Sequence, residues 1–277
     1  GRITDKDYVD GILKDLNGRT FEKVEISRKE ITEQPPLPFN LVKLQTYCSN
    51  KFGYDPSKVL EITQSLRDNH NAITYNRSDC QYLSEEQSKE SPATLRQVMD
   101  NLKADKAGSI FSKLPIDTSL KSNAFNDKNI TAHTAIIPQN RKFDITKLSE
   151  EERNVYLAIV KYFAAQFLSP AKKERTSLEA GFEDGILKAN STRVISQGYM
   201  VLIRPEKKND DEDDEKESAL SSIPQGTYEG TVINTNVDAK ETKAPPRYTK
   251  ASLNEDMTRI AKYVTDPEAK ALLLAKD

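Results

Sequence analysis

Tyr75 and Arg77, two residues apart, have side chains that could together attack a phosphodiester. They lie in the run from Ile73 to Leu83, which we interpret as a short strand entering a turn. A phenol is a poor nucleophile until its proton is removed, because its ordinary pKa is about 10. A nearby guanidinium favours the phenolate and can grip a phosphate oxygen through its planar donors. Taken alone, however, the pair is more typical of a core tyrosine followed by a surface arginine.

The composition indicates a polar, soluble chain. Its 277 residues are enough for one to three domains, and 36% hydrophobic against 30% charged residues still permits modest cores. No apolar run approaches the length of a membrane span, and the first residues do not form a signal peptide. Cys48 and Cys80 are too few for a disulfide framework and lack zinc spacing. We therefore expect a cytoplasmic protein.

The charge is unevenly distributed along the chain. A net charge of -2 argues against a strong non-specific nucleic-acid binder, which is usually basic. Residues 206–217 hold eight acidic and three basic residues, so the remaining chain is net positive by three. We interpret this consecutive run as a solvated hairpin loop and reject it as a metal site.

The first half contains a helix, a strand and a helical hairpin. Residues 5–16 predict a helix and residues 21–31 a half-buried strand, before a proline-rich linker at 34–38. Asn40 can cap a helix that ends at Gly53, and Asp55-Pro56 can begin a second helix that ends near residues 69–71. With the strand that follows, this order is that of winged-helix folds, although a plain packed helical hairpin has the same pattern.

The second half alternates between helix and strand. Helices are predicted at residues 92–102 and 150–168, the latter with a Ser149 capping box. Strands are predicted between 176 and 242, including the run 199–203, and helix from Lys250 onward. The resulting fold class is multidomain α and β, in which a β-rich domain is interrupted by an inserted, mainly α-helical domain carrying the tyrosine.

The tyrosine segment is also part of a wider resemblance. Ile-Thr-Tyr-x-Arg-Ser-Asp-Cys-x-Tyr-Leu resembles the active-site tyrosine motif of type IA DNA topoisomerases, and of topoisomerase III in particular. Further segments match the family in order: Pro36 to Leu41 with Lys51 to Tyr54, Ala132 to Pro138, and Pro245 to Leu253 with Ala261 to Val264. Together they cover nearly the whole chain.

The resemblance implies a domain plan. The β-rich domain would be a gate arch that carries the inserted winged-helix-like domain. Residues 1–36 and 171–244 would form the two parts of the arch. Residues 37–170 would form the helical tyrosine domain, and residues 245–277 would begin a further helical domain that is truncated here.

It also implies roles for single residues. Tyr75 would attack single-stranded DNA and become joined to the 5′ phosphate, while Arg77 would clamp the scissile phosphate. His133 would contact DNA, and Arg247 and Tyr248 would contact single strands, although a solvated interdomain joint explains the last two equally well. Asn76 stands where proline is common, and we expect it to loosen the turn.

The implied enzyme cleaves one strand, passes DNA through the gap and reseals it as a monomer, without a nucleotide or a membrane. Its Mg²⁺ would be held by a separate α/β domain. Because nothing in this chain resembles that domain, we expect no metal or other cofactor here and no activity from this part alone.

Two alternatives remain open. A non-catalytic helix-turn-helix DNA-binding scaffold would have the same helical hairpin but would tolerate Tyr75→Phe. A tyrosine recombinase would need a dispersed Arg-His-Arg set ahead of its tyrosine, whereas His133 follows Tyr75.

Overall fold

The computed structural model describes residues 3–182, 185–204, 219–242 and 244–274. The acidic run 206–217 therefore lies outside the described residues. The chain divides into two compact units. The sheet unit comprises the described residues of 1–33, 170–198 and 204–245, and the helical unit those of 34–169, 199–203 and 246–277. Helices and a β-sheet are both present, as the sequence predicts, and the described sheet is antiparallel.

The sheet unit is a four-stranded antiparallel sheet next to one helix. It contains α1 (Lys6–Leu16), β1 (Thr20–Glu33), β2 (Ala171–Phe182), β3 (Gly185–Ser196) and β4 (Gly226–Thr231), with the strand order β3-β2-β1-β4. Glu33 at the end of β1 pairs with Ala171 at the start of β2. The chain thus leaves the sheet and returns to it at directly opposite residues. A small core stabilises the unit, formed by Leu16, Phe21, Val24 and Ala180.

The helical unit begins with the predicted helical hairpin. It consists of α2 (Leu41–Phe52) and α3 (Pro56–Asp68). The Asn40 side chain accepts a hydrogen bond from the Lys43 amide, and Gly53 ends α2 in the left-handed region at φ 71°. Since residues other than glycine are strained there, Gly53 sets where the helix stops. Asp55 caps α3, so both predicted helices are confirmed.

The core of the helical unit is built around α6 (Glu150–Ala165). A capping box between Ser149 and Glu152 begins this helix, as predicted. Val155, Ile159 and Phe163 are buried on it at helical spacing. The other helices of the unit are α4 (Glu85–Asn101), α5 (Lys106–Phe111), α7 (Lys250–Met257) and α8 (Pro267–Leu274).

Two local predictions are wrong. Helix α4 begins at Glu85 rather than at Pro92, because Ser84 and Gln87 form a capping box that starts it earlier. The run 199–203 is not a strand. Its first residues form a 3₁₀ turn, Gly198–Val201, in which the Tyr199 amide donates to the Ser169 carbonyl. Tyr199 and Met200 are buried, so the apolar run reflects a packed turn and not a sheet.

Candidate active site around Tyr75

A tight reversal after α3 leads the chain to Tyr75. Asn71 takes φ 49°, a conformation in which asparagine is enriched among the non-glycine residues. The Ala72 amide then donates to the Leu66 carbonyl at 2.8 Å. Ile73 forms a single antiparallel bridge with Pro138, and a turn follows at Asn76 and Arg77. The predicted short strand is thus reduced to one bridge.

Thr74 fixes the backbone immediately before the tyrosine. Its amide donates to the Ile137 carbonyl at 2.9 Å, and its hydroxyl accepts from the Ile137 amide at 3.0 Å. The same hydroxyl donates to the Ala135 carbonyl at 3.3 Å. These bonds join the tyrosine segment to residues 135–137, which begin two residues after His133, so the two segments hold each other in register.

Asn76 fixes the backbone immediately after the tyrosine, contrary to the expected loosening. Its side chain is fully buried, and its amide nitrogen donates to Thr63 Oγ1 at 3.2 Å and to Gln64 Oε1 at 3.4 Å. Both acceptors lie on α3. A proline at this position could not make these bonds, so asparagine ties the turn to the helix by a different route.

The ring of Tyr75 is half-buried, and a histidine and an arginine lie next to it. The imidazole of His133 lies with its ring centroid 4.4 Å from that of Tyr75, at an interplanar angle of 41°. The guanidinium carbon of Arg67, on the last turn of α3, lies 4.9 Å from the Tyr75 centroid. Among the described residues, no side chain forms a hydrogen bond with the Tyr75 hydroxyl. The phenol oxygen is therefore not committed to an internal partner.

Arg77 is exposed, and its guanidinium has no ion pair or hydrogen bond within the described part of the chain. The residues that follow it are anchored. The Ser78 carbonyl accepts from the Leu41 amide at 2.9 Å, and the Asp79 carbonyl accepts from the Asn40 side-chain amide at 2.8 Å. Arg77 is therefore a free cation on a fixed turn, two residues from Tyr75.

His133 lies on an exposed segment that is tied down on both sides. On one side Thr131 Oγ1 donates to Asp79 Oδ1 at 3.2 Å, which links this segment to the tyrosine turn. On the other, the Gln87 side chain donates to Thr134 Oγ1 at 3.0 Å, and α4 thereby supports the loop. The fold thus brings His133 and Tyr75 together, although they are distant in sequence.

Arg247 and Tyr248 belong to a different part of the helical unit. Both are exposed, and no described hydrogen bond, ion pair or ring contact joins them to Tyr75, Arg77 or His133. The Tyr248 hydroxyl bonds to the Asp256 carboxylate and lies 2.6 Å from the Tyr263 hydroxyl. The hydrogen bond to Asp256 raises the pKa of Tyr248, so this phenol stays neutral. Tyr248 is therefore unsuited to nucleophilic attack.

Comparison with known proteins identifies the family. A family model described as DNA topoisomerase matches residues 1–261. The chain belongs to the DNA topoisomerase family. The membership that the tyrosine motif and the three further segments predict is thereby confirmed.

Curated relatives agree along the whole chain. DNA topoisomerase 3 of Vibrio cholerae is 29% identical over 280 residues, and that of Haemophilus influenzae is 30% identical over 285 residues. Each match takes in 100% of this chain and 41% of the relative. The chain thus spans about two fifths of the length of the curated topoisomerases it matches.

The fold agrees as well. Full-length topoisomerase I from Thermotoga maritima superimposes with a TM-score of 0.61 at 20% identity, over 99% of this chain and 42% of that one. At that identity the likeness is one of fold. The two chains share the mixed helical and antiparallel architecture.

A topoisomerase of this type requires a divalent metal, according to the resemblance. Within the described ranges, no group of three or more His, Cys, Asp or Glu side chains converges closely enough to hold a metal ion. Mg²⁺ prefers several carboxylate or water oxygens in octahedral geometry. The described residues do not fit such an ion. Nor is any described helix long and apolar enough to span a membrane.

Sequence reasoning missed Arg67. The sequence signal for Arg67 is its spacing from Tyr75. When a helix ends in a tight reversal, the segment that follows runs back past the last turn of that helix. Arg67 on that turn therefore lies next to the segment that follows the reversal. The left-handed Asn71 provides the reversal, and asparagine is among the residues that accept that conformation.

Proposed function

We propose that this chain is the part of a type IA DNA topoisomerase that supplies the nucleophile, Tyr75. The observation that carries this proposal is the half-buried Tyr75 ring in contact with Arg67 and His133, with Arg77, which has no partner among the described residues, two residues away. No other tyrosine of the described residues combines these features with the family's motif.

The proposed reaction is a transesterification. The Tyr75 oxygen forms a bond to phosphorus, the bond to the 3′ oxygen breaks, and the DNA strand is left joined to the enzyme through its 5′ phosphate. The proton of the phenol is lost and the departing 3′ oxygen gains one. Resealing is the reverse reaction, so bond energy is conserved and no nucleotide is consumed.

Arg77 and His133 have distinct proposed roles. Arg77 clamps the scissile phosphate and stabilises charge as it develops, since its donors have no partner in the part of the chain that the structure describes. His133 packs against the nucleophile and contacts the same DNA strand. Arg247 and Tyr248 bind single-stranded DNA at a second place, as an exposed basic and aromatic pair would.

The domain plan is part of the proposal. The β-arch comprises residues 1–36 and 171–244, residues 37–170 form the inserted winged-helix-like domain, and residues 245–277 begin a further helical domain. The pairing of Glu33 with Ala171 supports an insertion between β1 and β2. The order of α2, α3 and the Ile73 bridge supports the winged-helix likeness.

Mg²⁺ is proposed to be held by another part of the same protein. The chain spans 41% of the relatives' length, which leaves room for it. This segment is accordingly proposed to be inactive alone and to need no cofactor for folding. The parent protein is proposed to act as a monomer in the cytoplasm.

The polarity of the covalent adduct tests this function. The parent protein is mixed with Mg²⁺ and a single-stranded oligonucleotide labelled at either end, then stopped with denaturant. We expect only the fragment with the 3′ label to stay attached to protein, because the tyrosine holds the 5′ phosphate at the break. An adduct carrying the 5′ label, or the absence of any adduct, would contradict the proposal.

A further inference from the structure

Among the described residues, Arg67 has one carboxylate within ion-pair distance, and the contact is long. Its Nε lies 3.9 Å from the carboxylate of the adjacent Asp68, beyond hydrogen-bond distance, and its side chain is 39% exposed. No other carboxylate in the described ranges approaches it. The guanidinium lies instead over the Tyr75 ring, at 4.9 Å from the centroid. The ring is therefore its principal partner.

The approach of Arg67 to Tyr75 is supported by side-chain hydrogen bonds that fix the tyrosine turn and the end of α3. Asn76 bonds back to Thr63 and Gln64, one helical turn before Arg67. The end of α3 is itself anchored, because Ser65 Oγ donates to Glu152 Oε1 on α6 at 2.6 Å. Helix α3 and the tyrosine turn thus form one connected local structure, and the guanidinium contact follows from the fold.

A guanidinium in this position has a physical effect on the phenol. The face of an aromatic ring is negative, so it attracts a cation within about 6 Å of its centroid. A tyrosine side chain has two rotatable angles, and a contact on its face restricts both. The same cation attracts the negative charge that the phenol carries during attack on phosphorus.

We propose that Arg67 is a positioning residue for Tyr75, holding the phenol ring in the orientation from which its oxygen reaches the scissile phosphate. The proposal rests on the proposed function of Tyr75. It assigns Arg67 a role separate from that of Arg77, which acts on the phosphate directly. Arg67 acts on DNA only through the ring.

The first test measures the ring in this chain, without DNA. Tyrosine ring carbons are labelled with ¹³C, and the Tyr75 resonance is identified by its loss in Tyr75→Phe. Arg67→Met keeps most of the side-chain bulk but removes the charge. In this variant we expect the Tyr75 ring resonances to shift. We also expect the NMR couplings of the Tyr75 side chain to take values averaged over several rotamers. Arg67→Lys keeps a cation and should recover part of the shift.

The matched control is Arg96→Met, since Arg96 is an exposed arginine on α4 with no described contact to a tyrosine ring. It should leave the Tyr75 resonances unchanged. The amide spectrum reports folding for each variant. Unchanged Tyr75 resonances in a folded Arg67→Met protein, or equal shifts in Arg96→Met, would overturn the positioning role.

The second test separates rate from binding in the parent protein. For Arg67→Met we expect single-turnover cleavage to slow by about two- to fivefold, the range of an exposed cation–π contact. Affinity for single-stranded DNA should change by less than twofold, and Arg67→Lys should recover part of the rate. An equal loss of affinity would make Arg67 a DNA contact and overturn the proposal, as would an unchanged rate.

The two tests distinguish this proposal from the function on which it rests. If Tyr75→Phe still formed a covalent adduct, the nucleophile would be misassigned. The ring measurement would then still show whether Arg67 orients Tyr75, because it needs neither DNA nor cleavage.

Discussion

The imidazole of His133 lies 4.4 Å from the ring of Tyr75, between centroids. The hydroxyl of Thr74 supports this proximity, because it accepts from the Ile137 amide and donates to the Ala135 carbonyl. Together with the bond from the Thr74 amide to the Ile137 carbonyl and the Ile73–Pro138 bridge, it aligns two segments that are far apart in sequence. The fold thus brings together the residue for which the resemblance implies attack on DNA and the residue for which it implies a DNA contact.

Arg77 is expected to act on the rate of cleavage more than on binding. In the parent protein, Arg77→Ala should slow single-turnover cleavage by about 10²–10³, the typical cost of losing one donor to transition-state charge. Arg77→Lys should recover only part of this, since an ammonium lacks the paired donors of a guanidinium. Cleavage and DNA affinity are measured side by side, with Arg96→Ala as the control. Equal losses of rate and affinity would make Arg77 a general binding residue.

Asn76 is expected to stabilise the helical unit through α3. Asn76→Ala should lower the free energy of unfolding by about 1 kcal/mol, because it removes one buried and one partly buried hydrogen bond and leaves their acceptors on α3 without this donor. A double-mutant cycle with Thr63→Val, followed by urea unfolding, isolates the first of these bonds. Additive effects of the two substitutions would show that the Asn76–Thr63 contact contributes nothing.

Asp105 joins the start of α5 to α6 and should make stability depend on pH. Its carboxylate accepts from the Ala107 amide at 2.7 Å and from Arg153 Nη2 at 2.8 Å. The hydrogen bond from Arg153 holds the pKa of Asp105 below its usual range. A group with a depressed folded pKa contributes stability above its unfolded pKa, which for aspartate is about 3.9, and loses it as pH falls through the folded pKa.

Asp105→Asn should therefore cost about 1–3 kcal/mol at neutral pH, since asparagine keeps the helix cap but loses the ion pair. The difference from the unsubstituted chain should shrink as the pH falls below about 4. Urea unfolding at several pH values measures it. Glu90→Gln, at an exposed residue of α4, serves as the control and should be nearly neutral. A difference that stays constant with pH would contradict the ion-pair account.

The local signals in the sequence predict the helical hairpin well. Asn40, Gly53 and Asp55 act through their own backbone neighbours, and these effects depend little on the rest of the chain. The apolar run 199–203 misleads because burial in a packed turn requires the same residues as burial in a strand. The early start of α4 was missed because Pro92 suggests a first turn, whereas the capping box lies upstream of it.

The candidate site was predictable only in part, for the same reason. The motifs identify Tyr75, Arg77 and His133 by type, but the contact between Tyr75 and His133 depends on long-range bonds made by Thr74. The sequence does not predict a role for Arg67, because its contact with the Tyr75 ring depends on the chain reversal at Asn71. Asn76 ties the turn to α3, whereas the sequence predicts that it loosens the turn. Its hydrogen-bond partner Thr63 lies on α3 and cannot be identified from the local sequence.

The covalent adduct of Tyr75 tests the central claim most directly. The parent protein and its Tyr75→Phe variant are incubated with Mg²⁺ and single-stranded DNA and stopped with denaturant. The adduct is then digested and the modified peptide is identified by mass spectrometry, with Tyr82→Phe as the control for a nearby tyrosine. We predict a nucleotide-bearing peptide that contains Tyr75, its complete loss in Tyr75→Phe with DNA affinity retained, and its persistence in Tyr82→Phe. A denaturant-resistant adduct that survives in Tyr75→Phe would contradict the account.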